Sequence, residues 1–287
     1  MILKTNRKFV KSIEIIPPRC KIDKILIQNI IKNQKYFDYL DIACCPMANL
    51  RISPLAFAHN LIIKGADYKK IILNFSTRDK NTLALQSEIL GAHSMKLNKV
   101  LLVKGDPIKI GNSRNSKEVF EVSTNSLIKI VNNLNKGKDF AGNKLNFKAQ
   151  FVTGSTINID NNYKSIKSTI SKRVKIGSDF FITQPLYTDD DFEKLIKLSR
   201  NKEYKILGGI LPIKNKKTLF NMKNKINGIT KGNKLFEILS KSKESDFVNI
   251  STDFFLESLE KYKRHLDGIH IMTSGDIKLA VRISKVI

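Results

Sequence analysis

Short β-branched runs alternate with longer helical patterns eight times along this chain, and nothing else in it restricts the fold as strongly. The runs Phe9–Ile16, Tyr36–Ala43, Lys70–Phe75, Lys99–Val103, Phe147–Thr153, Asp179–Thr183, Tyr204–Ile210 and Gly268–Met272 read as strands. Helix-length segments follow at Lys21–Asn33, Pro54–Gly65, Lys80–Lys96, Ser123–Asn135, Tyr163–Ile176, Asp189–Ser199, Lys216–Lys225 and Asp276–Val286. In one of them Leu83, Ala84, Ile89, Leu90 and Met95 form an apolar stripe, with Asn81 or Asp79 available to cap its start. An extra helical stretch, Thr252–Lys263, carries Phe254, Phe255, Leu256, Leu259 and Tyr262 at helical spacing, a pattern that reads as core packing. Strands separated by helices pair in parallel, with the crossover helices outside the sheet. A doubly wound open sheet would need a Gly-rich phosphate turn after its first strand, where this chain has Ile15-Ile16-Pro17-Pro18-Arg19. The pattern therefore predicts an α/β fold, a (β/α)8 TIM barrel forming a single catalytic domain over residues 1–287.

The length of 287 residues leaves room for a barrel and nothing else, so no appended regulatory domain is expected. The polar run Lys109–Lys117 reads as a long loop after a strand rather than as a domain boundary. An apolar fraction of 41% suffices for a large core. No apolar run reaches the ~18–20 residues of a membrane span, and the N-terminal stretch lacks the apolar segment of a secretory signal. Cys20, Cys44 and Cys45 show no CxxC spacing, and the four histidines are scattered. A cytoplasmic, reduced, metal-free protein is the expectation, with Cys44 and Cys45 a buried structural pair. The formal charge of +25 is carried far more by Lys than by Arg and is spread along the chain. Lys, Asn and Ile, all abundant here, share A/T-rich codons, whereas a nucleic-acid binder concentrates its charge and favours Arg. Neither nucleic acid nor membrane is expected as a partner.

Barrel active sites lie at the C-terminal ends of the strands. Those ends supply Glu14, Asp41, Asn74, the run Lys104-Gly105-Asp106-Pro107 and Thr183-Gln184-Pro185. Glu14 sits among Ile neighbours, where desolvation raises a carboxyl pKa and makes a general acid; the structural alternative is a Glu paired with a barrel Lys. Asp106 follows a glycine that lets backbone approach a ligand, or simply starts a turn before Pro107. Gln184 offers a donor and an acceptor. Lys172 and Arg173, with the long helix Tyr163–Ile176 behind them, could neutralise phosphates of a cofactor or form a solvated face.

These residues fall in recognisable motifs. SIEIIPPR resembles the SFEFFPPR signature of methylenetetrahydrofolate reductases, and STRDKNTLALQSEILGAHSMKLNKVLLVKGDP is similar to that family's TxRDxN…LQS…LG…GDP region. ITQPLYTDDDF, GGILPI and DGIHIMTSG follow in the family's order, and the closest likeness is to the bacterial, barrel-only type. The resemblance implies a barrel that binds FAD non-covalently and takes a hydride from NADH or NADPH. It then reduces 5,10-methylenetetrahydrofolate, also as a polyglutamated form, to 5-methyltetrahydrofolate, the two ligands using one flavin face in turn. It implies Glu14 as the general acid, Asp106 as the carboxylate near flavin and pterin, and Gln184 and Tyr187 as substrate contacts. Asp41, Asn74, Lys104, Gly105, Phe120, Ile157, Lys172 and Arg173 match cofactor-lining positions, and no metal is implied. Asn74 stands in place of the family's usual His, Asp41 in place of Thr, Ile157 in place of an aromatic, and Asp276 where some members carry Arg. Those departures leave two alternatives on the same barrel: a non-catalytic folate-binding protein and a flavin-independent folate methyl-transfer enzyme. A homo-oligomer is compatible with any of them.

Overall fold

The computed structural model describes residues 9–200, 203–225 and 234–287, so the first part of the stretch read for a secretory signal lies outside the described residues. Eight parallel strands close into a barrel in chain order: β1 (Val10–Ile15), β2 (Tyr39–Ile42), β3 (Ile71–Ser76), β4 (Lys99–Val103), β5 (Val152–Ile157), β6 (Phe180–Pro185), β7 (Lys205–Ile210) and β8 (Gly268–Ile271). Pairing of β1 with both β2 and β8 closes the sheet. The strands are followed in turn by α1 (Lys24–Asn33), α2 (Pro54–Ile63), α3 (Thr82–Ser94), α4 (Thr124–Asn135), α5 (Tyr163–Lys175), α6 (Asp189–Leu198) and α7 (Lys216–Lys225). Two further helices, α8 (Lys234–Lys241) and α9 (Phe247–Tyr262), precede β8, and α10 (Ile277–Val286) ends the chain. The expected (β/α)8 barrel is the observed fold. Among the described residues no helix is long and apolar enough to cross a membrane.

Helix starts follow from local chemistry. Asp23, Ser53, Asn81, Ser123, Asn162 and Asp276 each accept a backbone N–H of the first turn they precede, and Thr188 with Asp191 forms a reciprocal capping box. Of the two caps considered for α3, Asn81 is the one used.

Two boundaries depart from expectation. β5 begins at Val152, so the apolar run Phe147–Phe151 is not strand. Asn135, the last residue of α4, clamps both backbone groups of Phe151, accepting its N–H at 2.8 Å and donating to its carbonyl at 3.0 Å. Phe147 stacks instead on His93, with ring centroids 5.2 Å apart. The late helix starts at Phe247 rather than Thr252, and α8 was not anticipated. The polar residues that hid the first turns of α9 are satisfied internally, Ser251 donating to the Ile213 carbonyl and Thr252 to that of Val248.

The strand period of two sorts the core into two shells. Ile13, Leu40, Leu73, Leu102, Phe181, Ile206 and Ile269 pack outward against the helices. Val10, Tyr39, Ile72, Leu101, Phe180, Ile182 and Leu207 form a separate cluster that plugs the barrel interior. Two residues further along the same inward face come Ser12 and then Glu14 on β1, Asp41 on β2 and Asn74 on β3. The lower barrel is thus apolar and the upper barrel polar.

Gly154 on β5 gives the Phe180 ring its seat, since a Cβ there would lie 2.2 Å from Phe180 Cζ. Gly154→Ala is expected to cost about 1–3 kcal/mol through overpacking, read as a lower urea midpoint at unchanged slope. An unchanged midpoint would show that the plug yields freely.

Candidate active site

The open end of the barrel is organised by a buried cation. Arg78 follows β3 and is only 2% exposed. Its guanidinium binds both carboxylate oxygens of Asp79, at 2.6 and 2.7 Å, and donates to the backbone carbonyls of Asp106 at 3.0 Å and Cys45 at 3.3 Å. One side chain therefore ties together the loops after β2, β3 and β4. Ser76 and Thr77 hydroxyls both donate to the Lys104 carbonyl at 3.2 Å. Gly105 has φ +86°, and a Cβ on it would lie 2.2 Å from Ser76 Oγ, so the close approach and the left-handed backbone both require glycine. The long loop folds back on this platform, Val119 and Phe120 donating their amides to the Arg78 and Thr77 carbonyls. Glu118 accepts from the Ile108 amide at 2.7 Å, and Asp106 Oδ2 accepts from that of Met47 at 2.8 Å.

Inside this rim lie the carboxyl groups. Glu14 and Asp41 face each other in register on β1 and β2. Burial raises the Glu14 pKa to about 7, with the negative charge of Asp106 adding to the effect. Burial also holds Asp41 well above the usual carboxylate range, Glu14 reinforcing it and the hydrogen bond from Asn74 opposing it. That bond is long, 3.5 Å from Asn74 Nδ2 to Asp41 Oδ2. Asp41 Oδ1 and Asn74 Oδ1 are buried and unbonded. Beneath them His270 Nε2 lies 3.6 Å from Asp41 Oδ2, and its Nδ1 is 2.8 Å from Ser12 Oγ. Burial depresses His270 to about 3, so it is a neutral ring at physiological pH. The result is a polar column from Ser12 through His270 and Asp41 to Glu14, resting on the apolar plug.

The structure brings Glu14, Asp41, Asn74 and Asp106 together, with Lys104, Gly105 and Phe120 on the adjoining rim. Lys104 Nζ sits 5.5 Å above the Phe120 ring, and Phe120 itself adopts φ 40°. Gln184 is half-buried near the end of β6, where its carbonyl accepts from the Thr183 hydroxyl. Three expected site residues lie elsewhere. Tyr187 is enclosed against Phe236 and Phe255 and donates its hydroxyl to the Leu211 carbonyl at 2.9 Å, so the structure places it in the core. Ile157 falls on the outward face of β5 and packs into the shell between strands and helices, so it does not line the rim. Lys172 is exposed in the last turn of α5, apart from the carboxyl cluster. Arg173 reaches from that turn to the end of β5 and the start of α4, donating to Thr156 O at 2.6 Å and Asn125 Oδ1 at 3.1 Å. Cys44 and Cys45, expected to be buried, are half-buried beside the Arg78 platform.

Three residues of the site escaped the sequence reading. Arg78 stood inside a quoted motif but carried no structural signal of its own. Ser12 and His270 could have been found as polar residues two positions from inward apolar ones.

Fold and site together define a (β/α)8 barrel whose C-terminal rim surrounds a carboxyl group with its pKa raised to about 7. The chain matches the model of the methylenetetrahydrofolate reductase family over residues 2–287, and it belongs to that family. No curated protein matches it. Among solved structures it is similar to an uncharacterized protein from Clostridium thermocellum that binds two copies of 5-methyl-5,6,7,8-tetrahydrofolic acid. The two share 17% identity over 98% of this chain and 96% of that one, with a TM-score of 0.59. An aldolase, QR15, aligns at 12% identity over 97% and 96% of the chains (TM-score 0.50), and oxaloacetate acetylhydrolase at 9% over 96% and 78% (TM-score 0.51). At these identities the likeness is one of fold.

Two outcomes follow from this geometry. Folding favours the protonated form of Glu14, so that contribution is fully present below pH 4.5 and is lost as pH rises through about 7. Relative to Glu14→Gln, the native chain is expected to lose on the order of 3 kcal/mol across that window, measured by urea unfolding against pH. Parallel pH profiles of the two proteins would contradict the buried carboxyl. Arg78→Met is expected to cost about 2–3 kcal/mol by stranding acceptors in three loops. Hydrogen exchange is expected to rise in all three, and acceleration in the β3 loop alone would refute the shared tie.

Proposed function

We propose that this chain reduces 5,10-methylenetetrahydrofolate to 5-methyltetrahydrofolate using FAD and NADH or NADPH. The observation that carries the reading is Glu14, whose carboxyl keeps its proton to about pH 7 at the open end of the barrel. Opening the imidazolidine ring of the substrate needs a proton on a weakly basic nitrogen, and an acid matched to neutral pH delivers it best. Asp106, oriented by the Met47 amide, adds the negative charge that helps Glu14 retain that proton. Gln184 can donate to and accept from a pterin edge.

The donors at the rim fit a flavin dinucleotide. Asn74 Oδ1 is a buried acceptor in want of an N–H. Arg173 bonds neutral oxygens of Asn125, Ser155 and Thr156, which leaves a half-buried cation to meet a phosphate, with Lys104 as a second. When bound, FAD would supply the hydride it receives from NADH or NADPH.

A second reading, folate binding without flavin in a non-catalytic or methyl-transfer protein, is favoured by the Clostridium thermocellum neighbour and its two methyltetrahydrofolates. The packing of Ile157, matched to a cofactor-lining position, into the core supports it as well.

The test is to purify the protein, record flavin absorbance with and without added FAD, and assay NAD(P)H oxidation with methylenetetrahydrofolate. Yellow protein and folate-dependent turnover are expected. Glu14→Gln is expected to lower folate reduction by about 100-fold or more while NAD(P)H-driven flavin reduction persists. Colourless protein that takes up no FAD yet binds 5-methyltetrahydrofolate by calorimetry would replace this reading with the second.

A further inference from the structure

The loop after β2 carries two adjacent cysteines that the proposed reaction does not use. Cys44 and Cys45 are both free and half-buried, and their thiols hydrogen-bond each other. Their loop is held in an unfavourable backbone: Cys45 has φ 41°, Met47 φ 54° and Ala48 φ 51°. Three left-handed non-glycine residues in so short a span persist only where surrounding bonds enforce them. Here those bonds are the Arg78 donation to the Cys45 carbonyl, the Met47 amide bond to Asp106, and the seating of Ala48 on Gly111. A Cβ at Gly111 would lie 2.0 Å from Ala48 O.

The environment distinguishes the two sulfurs. Cys45 accepts from the Cys44 thiol, with the Arg78 charge nearby, and its pKa falls to about 6, while its Sγ lies 4.0 Å from the Arg51 carbonyl. Cys44 is held well above the usual thiol range, first because it donates to Cys45 and then because it is buried. The Cys44 hydrogen bond and the Arg78 charge favour the thiolate on Cys45 over Cys44, the division of labour of an attacking and a resolving cysteine.

We propose that Cys44 and Cys45 form a thiol–disulfide exchange site for small-molecule disulfides. The Cys45 thiolate attacks one sulfur of RSSR, forming a Cys45–SR bond and releasing RS⁻, which takes up the proton lost by Cys44. Deprotonated Cys44 then attacks Cys45 Sγ, the Cys44–Cys45 bond forms, and a second RS⁻ leaves to be protonated by solvent. The two cysteines lose two electrons and the small disulfide becomes two thiols. Adjacent Cα atoms lie ~3.8 Å apart, closer than the ~4.4–6.8 Å of ordinary disulfides, so ring closure has to move the loop. The movement falls on the segment whose Met47 amide orients Asp106, and a bond closed under strain is readily reduced again.

The experiment uses oxidised glutathione on the chain carrying Cys20→Ser, which removes the exposed thiol, with mass spectrometry of intact protein and of non-reduced peptides. The expected product has lost two hydrogens in the peptide holding Cys44 and Cys45, without a lasting adduct. Adding Cys44→Ser is expected to trap a glutathione adduct on Cys45, and Cys45→Ser instead is expected to slow reaction by about tenfold or more. Iodoacetamide labelling of Cys45 in the otherwise native chain is expected to reach half its maximal rate near pH 6. Amide exchange at Met47 is expected to rise on oxidation and to fall again with dithiothreitol. Adducts confined to Cys44, or unreactive Cys44 and Cys45 in a native chain whose Cys20 reacts, would overturn the proposal. These readouts use neither flavin nor folate, so they stand or fall apart from the reductase reading.

Discussion

The buried guanidinium of Arg78 is the interaction on which the working end of this barrel depends. Parallel strands deliver their C-terminal ends to one rim, but the sheet's hydrogen bonds stop there and leave the loops to find their own partners. Arg78 provides them with a common donor, bonding a carboxylate on its own loop and carbonyls on the loops before and after. A planar group with several fixed donors suits that task, and a Lys in its place could not hold three directions at once. The hydroxyls of Ser76 and Thr77 add a second tier by fixing the Lys104 carbonyl. The position of Asp106 is thus set by backbone on both sides of it rather than by its own side chain alone.

Against that rim, the interior carboxyls show how surroundings decide chemistry for identical groups. Glu14 and Asp41 stand on an apolar plug and beside one another, so water is scarce and ionising both is costly. Asp106 has a backbone amide to satisfy an oxygen, and its negative charge adds to the rise at Glu14. A neutral His270 below completes the column without adding a cation that would favour ionised Glu14.

The barrel was legible in the sequence because it rests on periodicity: eight strand-like runs, each followed by a helix-like one, survive errors of a few residues at their ends. The inward carboxyls were legible for the same reason, as polar residues interrupting β-branched runs. What failed was any inference that needed side-chain direction or a distant partner. Phe147 and Phe151 look like strand, yet Asn135 claims the backbone of Phe151 and His93 packs against both rings. Tyr187 follows a site motif, but α8 and α9 supply Phe236 and Phe255 to enclose it. Ile157 matched a motif position whose face depends on where β5 starts. Arg78 was overlooked because a charge in a loop motif reads as exposed until the fold wraps three segments around it.

The apolar plug has one more consequence. Val10, Tyr39, Ile72, Leu101, Phe180 and Leu207 plug the barrel interior below Glu14, so among the described residues a ligand moving along the barrel axis meets Glu14 from the C-terminal rim. A dead-end chamber of this kind imposes order on its traffic. Two large ligands either lie stacked at the entrance or take turns, and the second cannot arrive from behind while the first is still in place.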